Sequence, residues 1–438
     1  MQAIPDTAKD WCVWAWTEHQ EGRLDRARAG LERALAIDPA SLAARFGLAS
    51  VLLDTGDVAA ATVIAVDMAS TAPGNPDTLW LQARLATARG DAQQARESLV
   101  GLLGHSGLNE AQRAEALLML GLAQGDLGNS AEAFAAALQG KRLQRDFHAP
   151  EAKGQEDEVS KLRRLATWIR STPTEWPPAP QRAAPNAAPS HIFLLGFPRS
   201  GTTLLEQVLA AHSRVSTLEE APTLAAAYQA FLSDADACAA LMRLEPEEAA
   251  AWAVHYWAGI RERTEVAGRV FVDKQPAGTL YLPIIARLFP QARIIFAVRD
   301  PRDVVLSCFR QAFTMNAMTY AFTDLVETAA CYDACMSLAE QARGRLPLAW
   351  LDVRHEALVE NFDDELGSIL EFLGLAPDPA MADFAASARS RTIRTPSATQ
   401  VRAGLNRRGL GRWEHFRREL APVLPVLAPW VGRFGYPT

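Results

Sequence analysis

A regular spacing of small residues runs through the first third of the chain. Gly22, Gly56 and Gly90 are separated by 34 residues, and an alanine follows each of them five positions later. A fourth glycine with its alanine, Gly128 and Ala133, fits the same pattern after a four-residue insertion. Glycine permits a tight turn and alanine a close approach of two helices, so the spacing predicts stacked pairs of antiparallel helices.

The 34-residue period is that of the tetratricopeptide repeat, which residues 1–150 resemble. The alternative is an unrelated helical bundle in an alanine-rich sequence. Stacked repeats form a concave surface that suits a peptide or a partner protein, although the same array can serve as a dimerisation arm. Recruitment of a partner is therefore an expectation from the architecture and not from chemistry.

The sequence changes character after residue 150. Six prolines occur within 171–190, and because proline resists regular structure, 151–190 is predicted to be a helix followed by a proline-rich linker. In 191–438, helical patterns alternate with short apolar runs at 191–196, 269–273, 293–298 and 348–353. Strands that alternate with helices indicate a parallel sheet, so the predicted fold is α + α/β, with a helical repeat array before a P-loop-like α/β domain.

A glycine loop directly follows the first predicted strand. Residues 196–203 read GFPRSGTT, the spacing of a phosphate-binding P-loop with a threonine where nucleotide triphosphatases have lysine. Backbone N–H groups of such a loop and the start of the next helix attract an anion. The missing lysine disfavours a metal-chelated triphosphate, because that lysine reaches the β- and γ-phosphates. The predicted anion ligands are Arg199, Ser200, Gly201, Thr202 and Thr203.

A second candidate anion site follows the predicted strand 293–298. Arg299 stands at the carboxyl end of this strand, where open α/β sheets bind ligands, and Ser307 lies eight residues further on in a predicted helix. One guanidinium group and one hydroxyl group can clamp a phosphate. The alternative is a surface ion pair between Arg299 and Asp303.

Composition limits the classes of function. Apolar residues make up 49% of the chain and charged residues 22%, which is typical of a soluble globular protein. A net charge of −7 disfavours a nucleic-acid partner, and no apolar run is long enough to predict a membrane partner. The N-terminus has no secretory pattern, and the five cysteines form neither a metal spacing nor an even disulfide set. The expected location is a reducing cytoplasm.

Together, the two anion motifs resemble those of the sulfotransferases that use 3′-phosphoadenosine 5′-phosphosulfate, over roughly residues 190–435. The pattern is most similar to the tyrosylprotein sulfotransferases and to bacterial sulfotransferases with N-terminal tetratricopeptide repeats. The resemblance implies this nucleotide as the donor cosubstrate, a hydroxyl group as the acceptor and no metal. A peptide tyrosine, a sugar hydroxyl and a small phenol all stay open as acceptors, which the repeats would recruit.

The resemblance also implies catalytic residues. Glu220 falls where the tyrosylprotein enzymes have their base, with Glu219 as its rival; the alternative is a solvated acidic pair at the start of a helix. Lys274, in the segment VDKQP, falls on the transition-state lysine, and the alternative is an exposed lysine at a strand end. Ser397, in PSATQV, falls on the serine that contacts the transferring group.

Further nucleotide contacts are implied in the same way. The first loop would hold the 5′-phosphosulfate, and Arg299 and Ser307 the 3′-phosphate. His355 stands where the family has a tyrosine near the nucleotide, and Arg412 replaces a lysine. Residues 389–418 contain nine arginines, which predicts a loop that folds over the anionic donor. The alternative is a disordered basic tail.

Two other functions compete with sulfuryl transfer. A P-loop kinase or nucleotide hydrolase is disfavoured by the lack of Gly-Lys-Ser/Thr. A repeat scaffold with a catalytically silent nucleotide-binding domain is disfavoured by the retention of Glu220, Lys274 and Ser397.

Overall fold

The chain divides into two compact units. The structure is a computed structural model that describes residues 7–173, 176–177, 187–390, 401 and 404–437. The units are Met1–Phe147 with Arg310–Phe313 and Ala388–Arg402, and His148–Phe309 with Thr314–Ser387 and Ala403–Thr438. The domain limits at 150 and 190 that the sequence suggests stay a prediction.

The N-terminal region consists of antiparallel helix pairs. In chain order its helices are α1 Ala8–Gln20, α2 Leu24–Ile37, α3 Leu42–Thr55, α4 Val58–Thr71, α5 Pro76–Arg89, α6 Ala92–Leu103, α7 Glu110–Asp126 and α8 Ser130–Ala152. The four repeat glycines lie in the turns between paired helices, with φ of 72° to 87°, a left-handed conformation that other residues avoid. The four alanines that follow them are at most 1% exposed. The predicted helical repeat array is therefore confirmed.

The repeats share their cores with their neighbours. Leu52 of α3, Met68 of α4 and Leu81 of α5 belong to one buried cluster, so the second helix pair is completed by the first helix of the third pair. A single pair cannot bury its apolar face alone, and stacking supplies the missing surface.

The second unit contains a parallel sheet of five strands. They are β1 Ser190–Gly196, β2 Val215–Glu219, β3 Val270–Lys274, β4 Arg293–Val298 and β5 Ala349–Arg354. Their order is β2-β3-β1-β4-β5, and every neighbouring pair is parallel. The predicted α/β class is confirmed, and β2 is a strand that the sequence analysis missed.

The sheet topology brings several strand ends together. Gly196 at the end of β1 is level with Ala297 of β4, and Glu219 of β2 is level with Lys274 of β3. The chain passes from one side of β1 to the other between β3 and β4, so the carboxyl end of β1 lies at a switch point, where α/β sheets bind ligands.

Helices cover the sheet and complete the second unit. They are α9 Glu158–Ser171, α10 Thr202–Ala210, α11 Ala225–Phe231, α12 Ala235–Arg243, α13 Pro246–Arg261, α14 Leu282–Leu288, α15 Pro301–Arg310, α16 Ala317–Ala321, α17 Leu325–Arg345, α18 His355–Glu360, α19 Phe362–Leu373, α20 Phe384–Ser390, α21 Arg417–Leu420 and α22 Leu424–Arg433. Short 3₁₀ helices span Gly278–Tyr281, Pro379–Asp383 and Arg412–Phe416. Within the described ranges, no helix combines the length and apolarity that crossing a bilayer requires.

Helix α9, which the sequence analysis grouped with the linker, packs against α17 of the second unit. Asp157 caps its start by accepting a hydrogen bond from the Ser160 N–H at 2.9 Å. Leu162, Leu165 and Ile169 recur at helical spacing and are buried. This helix is therefore an integral part of the second unit.

Replacement of a buried side chain of α9 should destabilise the protein. We expect Leu165→Ala to lower the free energy of unfolding by about 2–5 kcal/mol, because it removes buried methyl groups and leaves a cavity. Urea denaturation measures the change. Thr167→Ala, on the exposed face of the same helix, should stay within about 0.5 kcal/mol of the unaltered protein. An equal effect of both variants would contradict the packing of α9.

Candidate active site

The first anion loop begins where β1 ends. A Cβ atom added at Gly196 would lie 2.7 Å from Ser200 Oγ and 2.8 Å from the Ala297 carbonyl oxygen, so the strand and loop approach too closely for a side chain. Gly201 has φ of 100° and precedes Thr202, the first residue of α10. The predicted order of strand, glycine turn and helix is present.

Arg199 lies at the tip of this loop in a left-handed conformation, with φ of 72°. Its Nε donates to Ser307 Oγ over 3.0 Å, so a residue of the first motif directly contacts a residue of the second. Burial and the neighbouring Arg299 lower the pKa of Arg199 to about 10, which leaves the guanidinium charged at neutral pH. A positive φ at a residue other than glycine stores backbone strain, and here the strained residue belongs to the first anion motif.

Arg299 extends the cationic cluster from the end of β4. Its guanidinium donates to the Arg199 carbonyl oxygen at 3.1 Å and to the Gly409 carbonyl oxygen. The Arg299 side chain is buried and lies 3.9 Å from Asp303. The ion pair of the alternative is therefore present, but it is not at the surface, because both partners are buried.

Asp303, in the first turn of α15, anchors a distant segment. Its carboxylate accepts hydrogen bonds from the Gly411 and Trp413 N–H groups, both at 2.8 Å. Burial raises the pKa of Asp303 to about 6, against the opposing effects of Arg299 and these hydrogen bonds. Arg412 lies between the two anchored residues, so its backbone is held beside the second anion motif.

The described part of the arginine-rich segment is packed. Trp413 and Phe416 are buried, and the Arg302 guanidinium stacks on the Trp413 ring at 3.8 Å. For residues 404–418, the alternative of a disordered tail is therefore wrong. Ser397 lies outside the described residues, as do the arginines at 391, 394 and 402.

His355 begins α18, directly after β5, and packs on the first loop. A Cβ atom at Gly201 would lie 2.6 Å from His355 Nδ1. Burial lowers the pKa of His355 to about 3, with further contributions from Arg299 and Arg199, so the ring is neutral at physiological pH. Among the described residues, His355 Nδ1, Ser200 Oγ and Arg299 Nε are buried without a hydrogen-bond partner.

Lys274, at the end of β3, is surrounded by carboxylates. Its Nζ lies 2.7 Å from Glu220 Oε1, 3.2 Å from Glu219 Oε1 and 3.5 Å from Glu206 Oε2. Burial favours the neutral amine, but the three carboxylates outweigh it and raise the pKa of Lys274 above its ordinary value. Lys274 is completely buried, so the alternative of an exposed strand-end lysine is wrong.

Glu219 is the last residue of β2, and Glu220 follows it in a turn. The alternative of an acidic pair at the start of a helix is therefore wrong. Glu220 has φ of 47°, and its N–H donates to the Lys274 carbonyl oxygen at 2.9 Å. The Glu220 side chain is 45% exposed and that of Glu219 is 17% exposed. Glu220 is therefore both the closer partner of Lys274 and the carboxylate more accessible to solvent.

A buried hydrogen-bond network supports the turn that carries Glu220. Asp273 accepts hydrogen bonds from Tyr256 Oη at 2.8 Å, Thr223 Oγ1 at 2.9 Å and Gln275 Nε2 at 3.1 Å. The Gln275 amide also donates to the Ala221 carbonyl oxygen. Burial raises the pKa of Asp273 to about 6, against the effects of these donors. The left-handed turn is thus tied to β3 at several points.

The structure brings most of the predicted residues together within the second unit. The anion loop residues Arg199–Thr203 and Arg299, Ser307 and His355 form one connected cluster, and Lys274 with Glu220 forms the second, at the neighbouring strand end. Glu206 was not predicted from the sequence, although its position four residues after Thr202 on α10 is compatible with a place near the loop. The hydrogen bonds that Asp303 and the Gly409 carbonyl oxygen accept were not predicted either.

Comparison with known proteins defines the class of this domain. Residues 189–379 match the sulfotransferase family, and residues 18–65 match a tetratricopeptide repeat. The chain therefore carries the domain of a transferase enzyme. Over residues 189–379 the chain is similar to the sulfotransferase family, and a region similar to a tetratricopeptide repeat precedes this match.

Individual relatives are distant. An uncharacterized protein of Aquifex aeolicus is 27% identical over 56% of this chain and 33% of its own length. A putative protein-tyrosine sulfotransferase of Caenorhabditis elegans is 27% identical over 41% of this chain and 70% of its own. The solved sulfotransferase domain of the Synechococcus PCC 7002 olefin synthase is 23% identical, with a TM-score of 0.35 over 56% of this chain and 98% of that one. The chain spans a third of the length of the Aquifex protein.

Proposed function

We propose that this protein transfers a sulfuryl group from 3′-phosphoadenosine 5′-phosphosulfate to a hydroxyl acceptor. One observation carries the proposal: a buried cationic cluster around Arg199 and Arg299 lies at the ends of β1 and β4, beside a lysine–glutamate pair at the end of β3. The first group suits an anionic donor, and the second suits removal of a proton and stabilisation of a leaving group.

The donor would be held by residues that already converge. The loop Arg199–Thr203 is assigned to the 5′-phosphosulfate, and Arg299 with Ser307 to the 3′-phosphate. His355 and Arg412 complete the proposed nucleotide contacts. The buried and unpartnered polar atoms of Ser200, Arg299 and His355 fit such a ligand, since an anion with many oxygens supplies the missing hydrogen bonds.

The proposed transfer is an in-line displacement without a metal. The acceptor oxygen forms a bond to sulfur while the bond from sulfur to the bridging oxygen of the donor breaks. Glu220 takes the hydroxyl proton, and Lys274 stabilises the negative charge that builds on the bridging oxygen. Ser397 is assigned to the same oxygen. The products are a sulfate ester and adenosine 3′,5′-bisphosphate.

For the acceptor, a peptide tyrosine is the leading candidate within this proposal. It is supported by the name of the Caenorhabditis elegans relative, and the repeats would recruit the peptide.

The five cysteines are unpaired and suit the reducing cytoplasm expected from the sequence.

A nucleotide-binding measurement tests the donor. We expect adenosine 3′,5′-bisphosphate to raise the melting temperature without magnesium. A ligand at 100 times its dissociation constant adds about 2.7 kcal/mol to the free energy of unfolding. A magnesium-dependent shift with ATP, together with no shift from the bisphosphate, would instead favour a P-loop kinase or nucleotide hydrolase.

Within this measurement, Arg299→Ala should strongly reduce the shift with the bisphosphate, because the buried guanidinium is assigned to a phosphate that stays bound throughout the reaction. The donor KM should rise more than kcat falls. Arg269→Ala, at an exposed position before β3, is the matched control and should leave the shift unchanged. An unchanged donor KM in Arg299→Ala would remove Arg299 from the site.

A further inference from the structure

The contact between Lys274 and Glu220 creates a conflict for the proposed reaction. Glu220 is the closest partner of the ammonium group, at 2.7 Å, and is also the proposed base. When Glu220 accepts a proton it becomes neutral and no longer attracts the lysine. At that moment, Lys274 must stay charged in a fully buried position to stabilise the leaving oxygen.

Two other carboxylates can hold the ammonium group, and they differ in exposure. The Glu219 side chain is 17% exposed, at 3.2 Å, whereas the Glu206 side chain is 2% exposed, at 3.5 Å. Water screens a charge pair less when both members are buried. The attraction between Glu206 and Lys274 is therefore the less screened of the two, although the distance between the groups is slightly longer.

Glu206 also belongs to the element that begins with the anion loop. Helix α10 starts at Thr202 and Thr203, and Glu206 lies on its next turn. The same rigid helix thus presents the loop to the donor and a carboxylate to Lys274. This connection fixes the position of the lysine relative to the proposed phosphosulfate site.

We propose that Glu206 is a positioning residue that keeps Lys274 charged and in place while Glu220 takes the acceptor proton. The inference rests on the proposed function. Glu206 itself touches neither donor nor acceptor in this scheme. It acts through the lysine, which the sequence motif alone does not reveal.

The charge on Lys274 depends on the groups that face it from each neighbouring element. These are Glu206 on α10, Glu219 on β2, Glu220 in the following turn and Asp273, its neighbour on β3. Glu206→Gln removes one negative charge and keeps the shape. The pKa of Lys274 should therefore fall, and Glu219→Gln should lower it less, because Glu219 is the more exposed of the two.

The lysine content allows a direct measurement. The chain has only five lysines, so selective ¹³Cε labelling gives few signals, and Lys274→Arg assigns the one of interest. The titration of Lys274 is followed by NMR in the full chain and in Glu206→Gln, Glu219→Gln and Glu206→Asp. We expect the Lys274 midpoint to fall most in Glu206→Gln and to stay near that of the unaltered chain in Glu206→Asp, which keeps the charge.

Activity gives the second measurement. In Glu206→Gln, kcat should fall by roughly 10-fold at neutral pH while the donor KM changes little, and the alkaline limb of the pH profile should move to lower pH. A purely structural role would lower the melting temperature without moving that limb. An unchanged Lys274 midpoint in Glu206→Gln, or a larger fall in Glu219→Gln, would overturn the role of Glu206. No sulfuryl transfer by the unaltered chain would instead contradict the proposed function.

Discussion

Glu220→Gln and Lys274→Ala are each expected to reduce turnover by about 10²-fold or more and to leave nucleotide affinity nearly intact. Glutamine keeps the shape of Glu220 and can still accept a hydrogen bond from Lys274, so only its basicity is lost. Removal of the ammonium group eliminates a charge that is needed mainly as the bond from sulfur to the bridging oxygen breaks, which is a transition-state effect. Steady-state kinetics with a sulfate-acceptor peptide measure turnover. The rise in melting temperature on addition of the bisphosphate measures nucleotide affinity.

Glu219→Gln is the matched control, because Glu219 contacts the same lysine from the adjacent position. Its effect on turnover should be much smaller. Lys274→Ala also leaves three carboxylates without their cation, so its own melting temperature is the reference for its nucleotide shift. If Glu219→Gln is inactive and Glu220→Gln active, the two roles are exchanged. If both are active, another group removes the proton.

The two charged clusters divide the proposed reaction across the sheet. At the ends of β1 and β4, Arg199 and Arg299 present cationic groups, and the Arg299 guanidinium donates a hydrogen bond to the Arg199 carbonyl oxygen. At the ends of β2 and β3, three carboxylates surround one lysine. A donor with several negative charges is favoured on the first side, and an acceptor that must lose a proton is favoured on the second. The parallel register brings both sides to one edge of the sheet.

The features that the sequence predicted are local ones. The anion loop was predictable because strand, glycine turn and helix follow one another without interruption, and the repeat glycines each determine one turn. Strand β2 was not predictable, because its sequence VSTLE contains no continuous apolar run. Only Val215 and Ser216 of its five residues are buried. Without β2, the glutamate pair could not be placed at a strand end.

The contacts between distant segments could not be predicted from the sequence pattern. Glu206 is the one charged residue of α10, and nothing in the local sequence shows that β3 places a lysine next to it. The anchoring of Gly411 and Trp413 by Asp303 likewise joins segments that only the fold brings together. The family resemblance supplied Lys274 and Glu220 but not the third carboxylate. The roles of these residues stay predictions.

Gly201→Ala should strongly destabilise the anion loop and weaken donor binding. A left-handed conformation costs an alanine about 1–2 kcal/mol, and overpacking costs about 1–3 kcal/mol. Both apply at Gly201, where φ is 100° and the new Cβ would lie 2.6 Å from His355 Nδ1 and 3.1 Å from its Cγ. We expect the free energy of unfolding to fall by about 2–5 kcal/mol and donor affinity by about 10-fold or more, measured by urea denaturation and by titration with the bisphosphate.

Gly268→Ala separates strain from the clash. Gly268 also has a positive φ, 68°, in the same unit, but a Cβ there would meet nothing within 4 Å. This control should cost only the backbone component, about 1–2 kcal/mol, and leave donor affinity unchanged. In the double variant Gly201→Ala/His355→Ala the ring is gone, so the additional cost of the methyl group should shrink by about 0.5–3 kcal/mol. Equal costs for Gly201→Ala with and without His355 would show that the imidazole does not pack on the loop, and that its proposed place beside the donor phosphates is wrong.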